Sequence, residues 1–409
     1  MGWQSAKLSH ILEYKKGKKP KRLESEPFQD SLTYLDIRAI EKNVNEIFAD
    51  PGSSTITGTD ELVIVWDGAR AGWVGLSRVG AVGSTLMALR PKIDKLFLYR
   101  FLQSQFDYLH SNHRGTGIPH VDPDILWNID VPIPSLKEQE RIVAKLNSLF
   151  EKIETNKKRL EKIPQILKRF RQSVLADAFN NNGLEEFTKN VCEEIQIGPF
   201  GTQLHRHDYI SNGIPLVNPT HIQGGEIIPD VNLTISKIKY EELSNYHLKE
   251  GDVIMGRRGE MARCGLVGPT ENGWLCGTGS LFFRPDLKKI VPQYLYWVLS
   301  NSQTKSFLEG EAKGSTMSNL NLEIVKNIPI TLPSISAQLS IVKKVEDLFA
   351  FADKLESRYL KAKAQLDKLP QSILAKAFRG ELVPQDPEDE PANLLLERIL
   401  TAKRMKKIK

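Results

Sequence analysis

Residues 131–179 of this chain reappear, without a gap, as residues 330–378. Pro134-Ser135 meets Pro333-Ser334, Gln139 meets Gln338, and Ile142-Val143 meets Ile341-Val342. Leu149-Phe150 meets Leu348-Phe349, Gln172-Ser173 meets Gln371-Ser372, and Ala178-Phe179 meets Ala377-Phe378. About a third of the aligned positions are identical. A repeat of this length, returning after about half the chain, describes a duplicated protein with a pseudo-two-fold internal repeat. The order is globule, helix, globule, helix.

The repeat has the period of a helix. Apolar residues fall at Ile142, Leu146, Leu149, Ile153, Leu160, Ile163, Leu167, Phe170 and Val174 in the first copy. The second copy keeps the phase with Ile341, Val345, Leu348, Ala352, Leu355, Tyr359, Ala362, Leu366, Leu369 and Ile373. Alternating steps of three and four make a heptad seam, the pattern of a long coiled-coil helix. Matched seams predict that the two helices pack on each other, antiparallel because a whole globule separates them. The alternative is that each packs in a core of its own. Ser135 and Ser334 are expected N-caps, and Glu138 completes a capping box that Ala337 denies to the second copy. Pro164 and Pro370 fall inside the pattern, where a kink or two stacked helices is expected rather than a stop. Asn156, the one polar step, either sets register or faces a kink.

At 409 residues the chain is expected to form two to three domains. The fold class expected is α+β: two α/β domains of similar fold, separated by two long antiparallel coiled-coil helices. The boundaries expected are 1–132 for the first globule, 133–182 for the first helical spacer, 183–331 for the second globule, 332–380 for the second spacer and 381–409 for a tail. A net charge of +6 and a pI near 8.9 permit a nucleic-acid surface without demanding one. Cys192, Cys264 and Cys276 lack paired spacing, which argues against zinc and disulfides. With no signal-peptide pattern and no long apolar run, a cytoplasmic chain without a membrane partner is expected.

Both globules share an order of elements. A strand at 61–66 leads to Asp67-Gly68-Ala69-Arg70-Ala71-Gly72, and one at 252–255 leads to Gly256-Arg257-Arg258-Gly259. Second strands follow at 84–91 and 280–285, then aromatic helices at 97–102 and 294–299. Each globule ends in a glycine-containing loop, Gly115-Thr116-Gly117-Ile118-Pro119-His120 or Gly314-Ser315-Thr316-Met317-Ser318-Asn319. Duplicated frames with diverged sequences suit two similar tasks aimed at different targets.

These features together resemble the specificity subunit of type I restriction-modification enzymes, over nearly the whole length. The resemblance rests on the repeated helix starts and the Gln-Ser-x-Leu-Ala-x-Ala-Phe helix ends, the paired loops, and the tail Gly380-Glu381-Leu382-Val383-Pro384-Gln385-Asp386. It also rests on Gly198-Pro199-Phe200-Gly201-Thr202-Gln203-Leu204 with Asp208-Tyr209 and Gly213-Ile214-Pro215, which look like the opening of a target-recognition domain. Ser336-Ala337-Gln338 departs from the family's acidic-Gln start, and Ser318 stands where the family often has proline. The resemblance implies two target-recognition domains, each reading one half of a bipartite asymmetric site in double-stranded DNA. It implies that the helices set the spacer and dock two methyltransferase subunits, through which restriction and translocase subunits join in a prokaryotic cytoplasm. It implies no catalysis and no cofactor for this chain. S-adenosylmethionine, ATP and Mg2+ would belong to the partners of an N6-adenine methyltransferase and ATP-dependent endonuclease.

DNA affinity comes mainly from cations on phosphates and specificity from side chains on base edges. In the first globule the candidates are Lys15, Lys16, Lys18 and Lys19, read as a loop that follows a backbone or as a solvated charge run. Arg70, Arg78, His113, Arg114 and Thr116 join them. In the second globule they are Gln203, His205, Arg206, Arg257, Arg258, Arg263, Lys313, Ser315 and Thr316. The basic face of the first helix, with Lys157, Arg169 and Arg171, reads equally as solvated or as facing DNA or an acidic partner. His205, His207 and Asp208 are too sparse for a metal site. A stand-alone methyltransferase lacks its catalytic tetrapeptide, since Asn218-Pro219-Thr220 has no aromatic stacking residue. A nuclease spelled from Pro285-Asp286 and Glu311-Ala312-Lys313 has no counterpart in the first globule. The remaining rival is a coiled-coil scaffold that binds only proteins.

Overall fold

The computed structural model describes residues 3–115, 117–179, 183–201, 203–257, 262–312 and 320–408. The chain parts into two compact units, Met1–Leu160 with Lys361–Lys409, and Glu161–Leu360.

The first unit is built around an antiparallel sheet ordered Leu12–Lys16, Leu86–Pro91, Leu62–Val65, Val74–Leu76. Leu62, Val63, Ile64 and Val65 are all buried, so this strand is covered on both faces. Strand alternation sends Leu62, Ile64, Met87 and Leu89 into a core with Phe97, Leu98, Phe101 and Leu102 of the aromatic helix Lys95–Ser104. Val65, Leu86 and Ala88 face a smaller core with Val82 and Trp73, under a second sheet that carries a parallel pair, Tyr34↔Ala81 and Leu35↔Val82. A short ladder of Gln4–Lys7 with Asp130–Ile133 closes the globule.

The second unit repeats this plan. Its antiparallel sheet runs Cys192–Ile197, Ser280–Pro285, Val253–Gly256, Cys264–Leu266. Val253, Met255, Leu281 and Phe283 face a core with Tyr294, Leu295, Val298 and Leu299 of the aromatic helix Pro292–Ser300. Ile254 and Phe282 face the other side, where Leu216↔Leu275 and Val217↔Cys276 form the matching parallel pair. Leu184–Phe187 pairs with Pro329–Leu332 as the closing ladder.

The identical Gln139 and Gln338 are fully buried in equivalent joints. Gln139 donates to the Pro134 carbonyl at 2.9 Å and accepts the Asp94 N–H at 3.0 Å, where Asp94 is the N-cap of its aromatic helix. Gln338 donates to the Pro333 carbonyl at 2.9 Å and accepts the N–H of Val291, the N-cap of the other aromatic helix, at 2.8 Å. One glutamine thus ties each long helix to its own globule.

The helices refine the expectation from the seam. The first copy is two helices, Leu136–Leu160 and Ile163–Ala178, with Pro164 in the first turn of the second, where a missing N–H costs little. The second copy is one helix, Ile335–Phe378, with Pro370 inside it. Pairs in each unit run antiparallel. In the second, Arg171 meets Asp353 at 2.7 Å and Glu356 at 2.8 Å, while Asp177 meets Lys344 at 3.2 Å. In the first, Lys157 meets Asp367 at 3.4 Å.

The seam serves two kinds of neighbour. Ile142 and Leu146 lie in one core with Phe97 and Phe101 as well as Leu374 and Ala377, and Val345 lies in one core with Tyr294 and Val174. Ile153 and Leu366 are buried, while Leu149, Leu160, Ile341, Leu348 and Leu355 are half-buried. A heptad pattern shows which face is covered and not by what. Two seam positions depart from expectation: Asn156 is exposed, and Leu369 is 41% exposed because Pro370 and Leu374 take the inward places.

The capping box is also only half built. Ser135 accepts the Glu138 N–H at 3.1 Å, but the Glu138 carboxylate turns to the Trp3 indole N–H at 3.0 Å. The Ser135 hydroxyl donates to Asp389 at 2.8 Å, and Arg141 forks onto the same carboxylate at 2.7 and 3.2 Å. Behind this latch, the C-terminal helix Ala392–Ile408 buries Leu395 and Ile399 in the first unit's core. Among the described residues no helix is long and apolar enough to cross a membrane.

Candidate nucleic-acid interface

Three segments converge at one end of the first unit's sheet: the end of Leu12–Lys16, the turn after Leu62–Val65, and the loop before Val121. The Trp66 carbonyl accepts the Val121 N–H at 2.9 Å, and the Pro119 carbonyl accepts the Gly68 N–H at 2.8 Å. Arg114 and His120 exchange backbone hydrogen bonds of 2.8 Å in both directions. Side chains then link the segments. The Asp67 carboxylate takes the Lys16 ammonium at 2.9 Å on one oxygen and His120 Nδ1 at 2.7 Å on the other. Burial works against charge on Asp67, but the hydrogen bonds from His120 and Lys16 outweigh it and hold this carboxyl below the usual aspartate range. Lys16 also lies over the Trp66 ring at 5.2 Å, and Tyr14 stacks on Trp127 at 4.3 Å.

The other candidates of this unit divide by what holds them. Lys15, Lys18 and Lys19 are exposed and, among the described residues, carry no ion pair. Lys15 and Lys16 sit on a strand, not in the expected loop. Gly17 is there for packing: a Cβ on it would lie 2.0 Å from the Gly83 carbonyl oxygen. Arg70 forks onto Glu41 at 2.8 and 2.9 Å. Arg78 donates to Asn43 at 3.0 Å and to the carbonyls of Ala39 and Val44, so it caps the C-terminus of the helix Ile37–Lys42. Arg114 is held at 2.6 Å by both Asp122 and Asp124. His113 Nδ1 contacts the His110 carbonyl at 2.6 Å.

The second unit keeps the frame and changes the side chains. Arg257 stands where the first unit has Trp66: its N–H donates to Gly279 at 3.0 Å as that of Trp66 does to Thr85 at 2.8 Å, and its carbonyl accepts Leu320 N–H at 3.2 Å as that of Trp66 accepts Val121. Gly198 is the counterpart of Gly17, with a Cβ there 2.0 Å from the Gly277 oxygen. Arg263 donates to the Pro219 carbonyl at 3.2 Å. Gln203 and Tyr246 are bonded at 2.9 Å, and His205 and Arg206 are exposed beside them in sequence. Asp208 accepts the His205 backbone N–H at 2.7 Å, and among the described residues no three His, Cys, Asp or Glu gather as metal ligands would. Thr116, Arg258, Lys313, Ser315 and Thr316 lie outside the described residues.

Sequence reading missed Tyr14, Asp67, His120 and Trp127 as members of this cluster. His120 had a signal, since it ends the loop that recurs in the second globule. Asp67 and Trp127 had none, because their partners are brought by the fold from 51 to 53 positions away or by ring stacking.

The family model described as the type I restriction modification DNA specificity domain matches residues 1–165 and 203–364. The chain belongs to that DNA specificity family. Among similar specificity-family members, the EcoBI specificity subunit of Escherichia coli is 32% identical over 340 residues, covering 75% of this chain and 72% of that protein. The MjaVIII specificity subunit of Methanocaldococcus jannaschii is 24% identical over 407 residues, covering 93% of each. The fold is shared with the HsdS subunit from Thermoanaerobacter tengcongensis, at a TM-score of 0.65 and 19% identity over 93% of this chain and 97% of that one. Both specificity-domain matches include their unit's sheet-end turn, Trp66 in one and Arg257 in the other.

Proposed function

We propose that this chain is the sequence-reading subunit of a type I restriction-modification complex, with each unit reading one half of a bipartite asymmetric DNA site. The observation that carries this reading is the sheet end described above. One backbone frame, with two sheet-end hydrogen bonds and a close glycine contact in common, occurs in both units and displays different side chains. A constant frame with exchanged side chains is what reading two different half-sites requires, because base edges are discriminated by individual side chains in the groove. The exposed Lys15, Lys18 and Lys19 supply cations for phosphates beside it.

In this reading the chain binds double-stranded DNA and performs no chemistry. The long helices set the spacer and dock two methyltransferase subunits, which flip an adenine from each half-site for methylation. Restriction subunits join through them, and S-adenosylmethionine, ATP and Mg2+ belong to these partners.

The deciding experiment maps modified adenines genome-wide in the source strain with and without this gene. Loss of one split, asymmetric motif with a methyladenine in each half is the expected result. An unchanged map, together with duplex binding by the purified chain that does not weaken steeply with salt, would replace this reading with that of a protein-binding scaffold.

A further inference from the structure

Resting on the reading that the sheet end faces DNA, we infer that His120 determines specificity in the first unit, reading one base edge through Nε2 with a hydrogen-bond polarity that pH reverses. The Asp67 carboxylate can only accept, so the 2.7 Å contact places a hydrogen on His120 Nδ1. In the neutral imidazole Nε2 is then a bare acceptor, and in the imidazolium it is a donor. The imidazole side chain is 48% exposed, and among the described residues nothing bonds Nε2.

The ring is held in place. Paired backbone bonds with Arg114 fix its Cα, the Asp67 contact fixes its rotation, and Gly115 lies close behind, so that a Cβ there would sit 3.2 Å from His120 Cδ2. The charged groups around it are Lys16 on the far oxygen of Asp67, and Arg114 with its partners Asp122 and Asp124. Lys16 and Arg114 are committed to those carboxylates. His120 therefore offers a hydrogen-bonding atom, Nε2, that no described residue engages.

The chemistry sets the bases. An acceptor at Nε2 suits the exocyclic amino group of adenine or cytosine, and a donor suits guanine or the O4 of thymine. In the second globule the corresponding loop carries Asn319 in place of His120, so the device belongs to one half-site. Asp67 is a positioning residue: it orients the ring and keeps the hydrogen on Nδ1.

The test gives the full chain, assembled with its methyltransferase subunits, a pool of duplexes randomised across both half-sites, and sequences the bound fraction at about pH 6 and about pH 8. One position in one half-site is expected to exchange an adenine or cytosine preference for guanine or thymine by about tenfold as pH falls. His120→Gln removes the exchange and leaves enrichment of the other half-site intact, which also reports that the variant folds. Asp67→Asn lets an amide donate to Nδ1, which frees the other tautomer and weakens the exchange. An exchange that persists in His120→Gln, or base preferences that ignore pH at every position, overturns the inference while both half-sites remain readable. A pool with no enriched sequence at either pH overturns the DNA reading and this inference with it.

Discussion

At the scale of single residues, identity between the two repeats marks geometry as often as surface. Gln139 and Gln338 each satisfy a backbone N–H and a backbone carbonyl at a joint, and Gln338 also donates to the Lys289 carbonyl at 3.0 Å. Replacing either by leucine keeps the volume and orphans both groups, at an expected cost of about 1–3 kcal/mol in chemical denaturation. The larger cost is expected at Gln338, which loses one more hydrogen bond. Gly17→Ala forces a methyl against a backbone oxygen that a Cβ would approach to 2.0 Å, and is expected to cost about 1–3 kcal/mol by the same measurement. The glutamines were legible as repeat identities, but their task was not, because Asp94 and Val291 lie 45 and 47 positions away. The arginines teach the same lesson in reverse. A cation in the sequence invites a DNA role, yet Arg70 is met by Glu41 from 29 positions away and Arg78 by carbonyls that only a finished helix presents together.

At the scale of elements, the two prolines make opposite predictions. Pro164 occupies a first turn, so Pro164→Ala should change stability by less than about 0.5 kcal/mol. Pro370 interrupts Ile335–Phe378, so Pro370→Ala restores a hydrogen bond and should slow amide exchange in that stretch, with a gain of up to about 3 kcal/mol. The heptad pattern revealed the long helices, and the globule between the two copies their antiparallel sense. It could not separate a neighbour on the other helix from one on the globule, since leucine against leucine and leucine against phenylalanine leave the same trace. The tail helix is latched through Asp389, whose carboxyl is held below the ordinary aspartate value of 3.8 by hydrogen bonds from Arg141 and then Ser135. A depressed acid stabilises above that value and loses its contribution as pH falls through the folded-state pKa. Amide protection in Ala392–Ile408, taken relative to the intrinsic exchange rate at each pH, should therefore fall at acid pH, and Asp389→Asn should show the lower protection already at neutral pH.

At the scale of the molecule, the duplication made the architecture legible before any chemistry. The target bases stayed illegible, because readout depends on loop side chains whose aim no periodicity encodes. If the helices act as the ruler, a heptad inserted in both should lengthen the DNA spacer by up to about 3 base pairs, as about 10 Å of helix against 3.4 Å per step requires. Methylation mapping would read the new spacer, and an unchanged one would remove the ruler. Replacing Lys18 and Lys19 with alanine should weaken binding alike for all sequences and lower the salt slope by about one for each phosphate no longer neutralised.

The partition of the chain has a consequence for its synthesis. The second unit is one continuous stretch, whereas the first joins residues 1–160 to 361–409, including the helix that buries Leu395 and Ile399. A ribosome therefore releases everything the later-encoded globule needs while the earlier-encoded one still waits for its last helix. The usual rule that the amino-terminal domain matures first on the ribosome is inverted. A stop codon ahead of those for Ala392–Ile408 would strike the globule encoded first and spare the one encoded second.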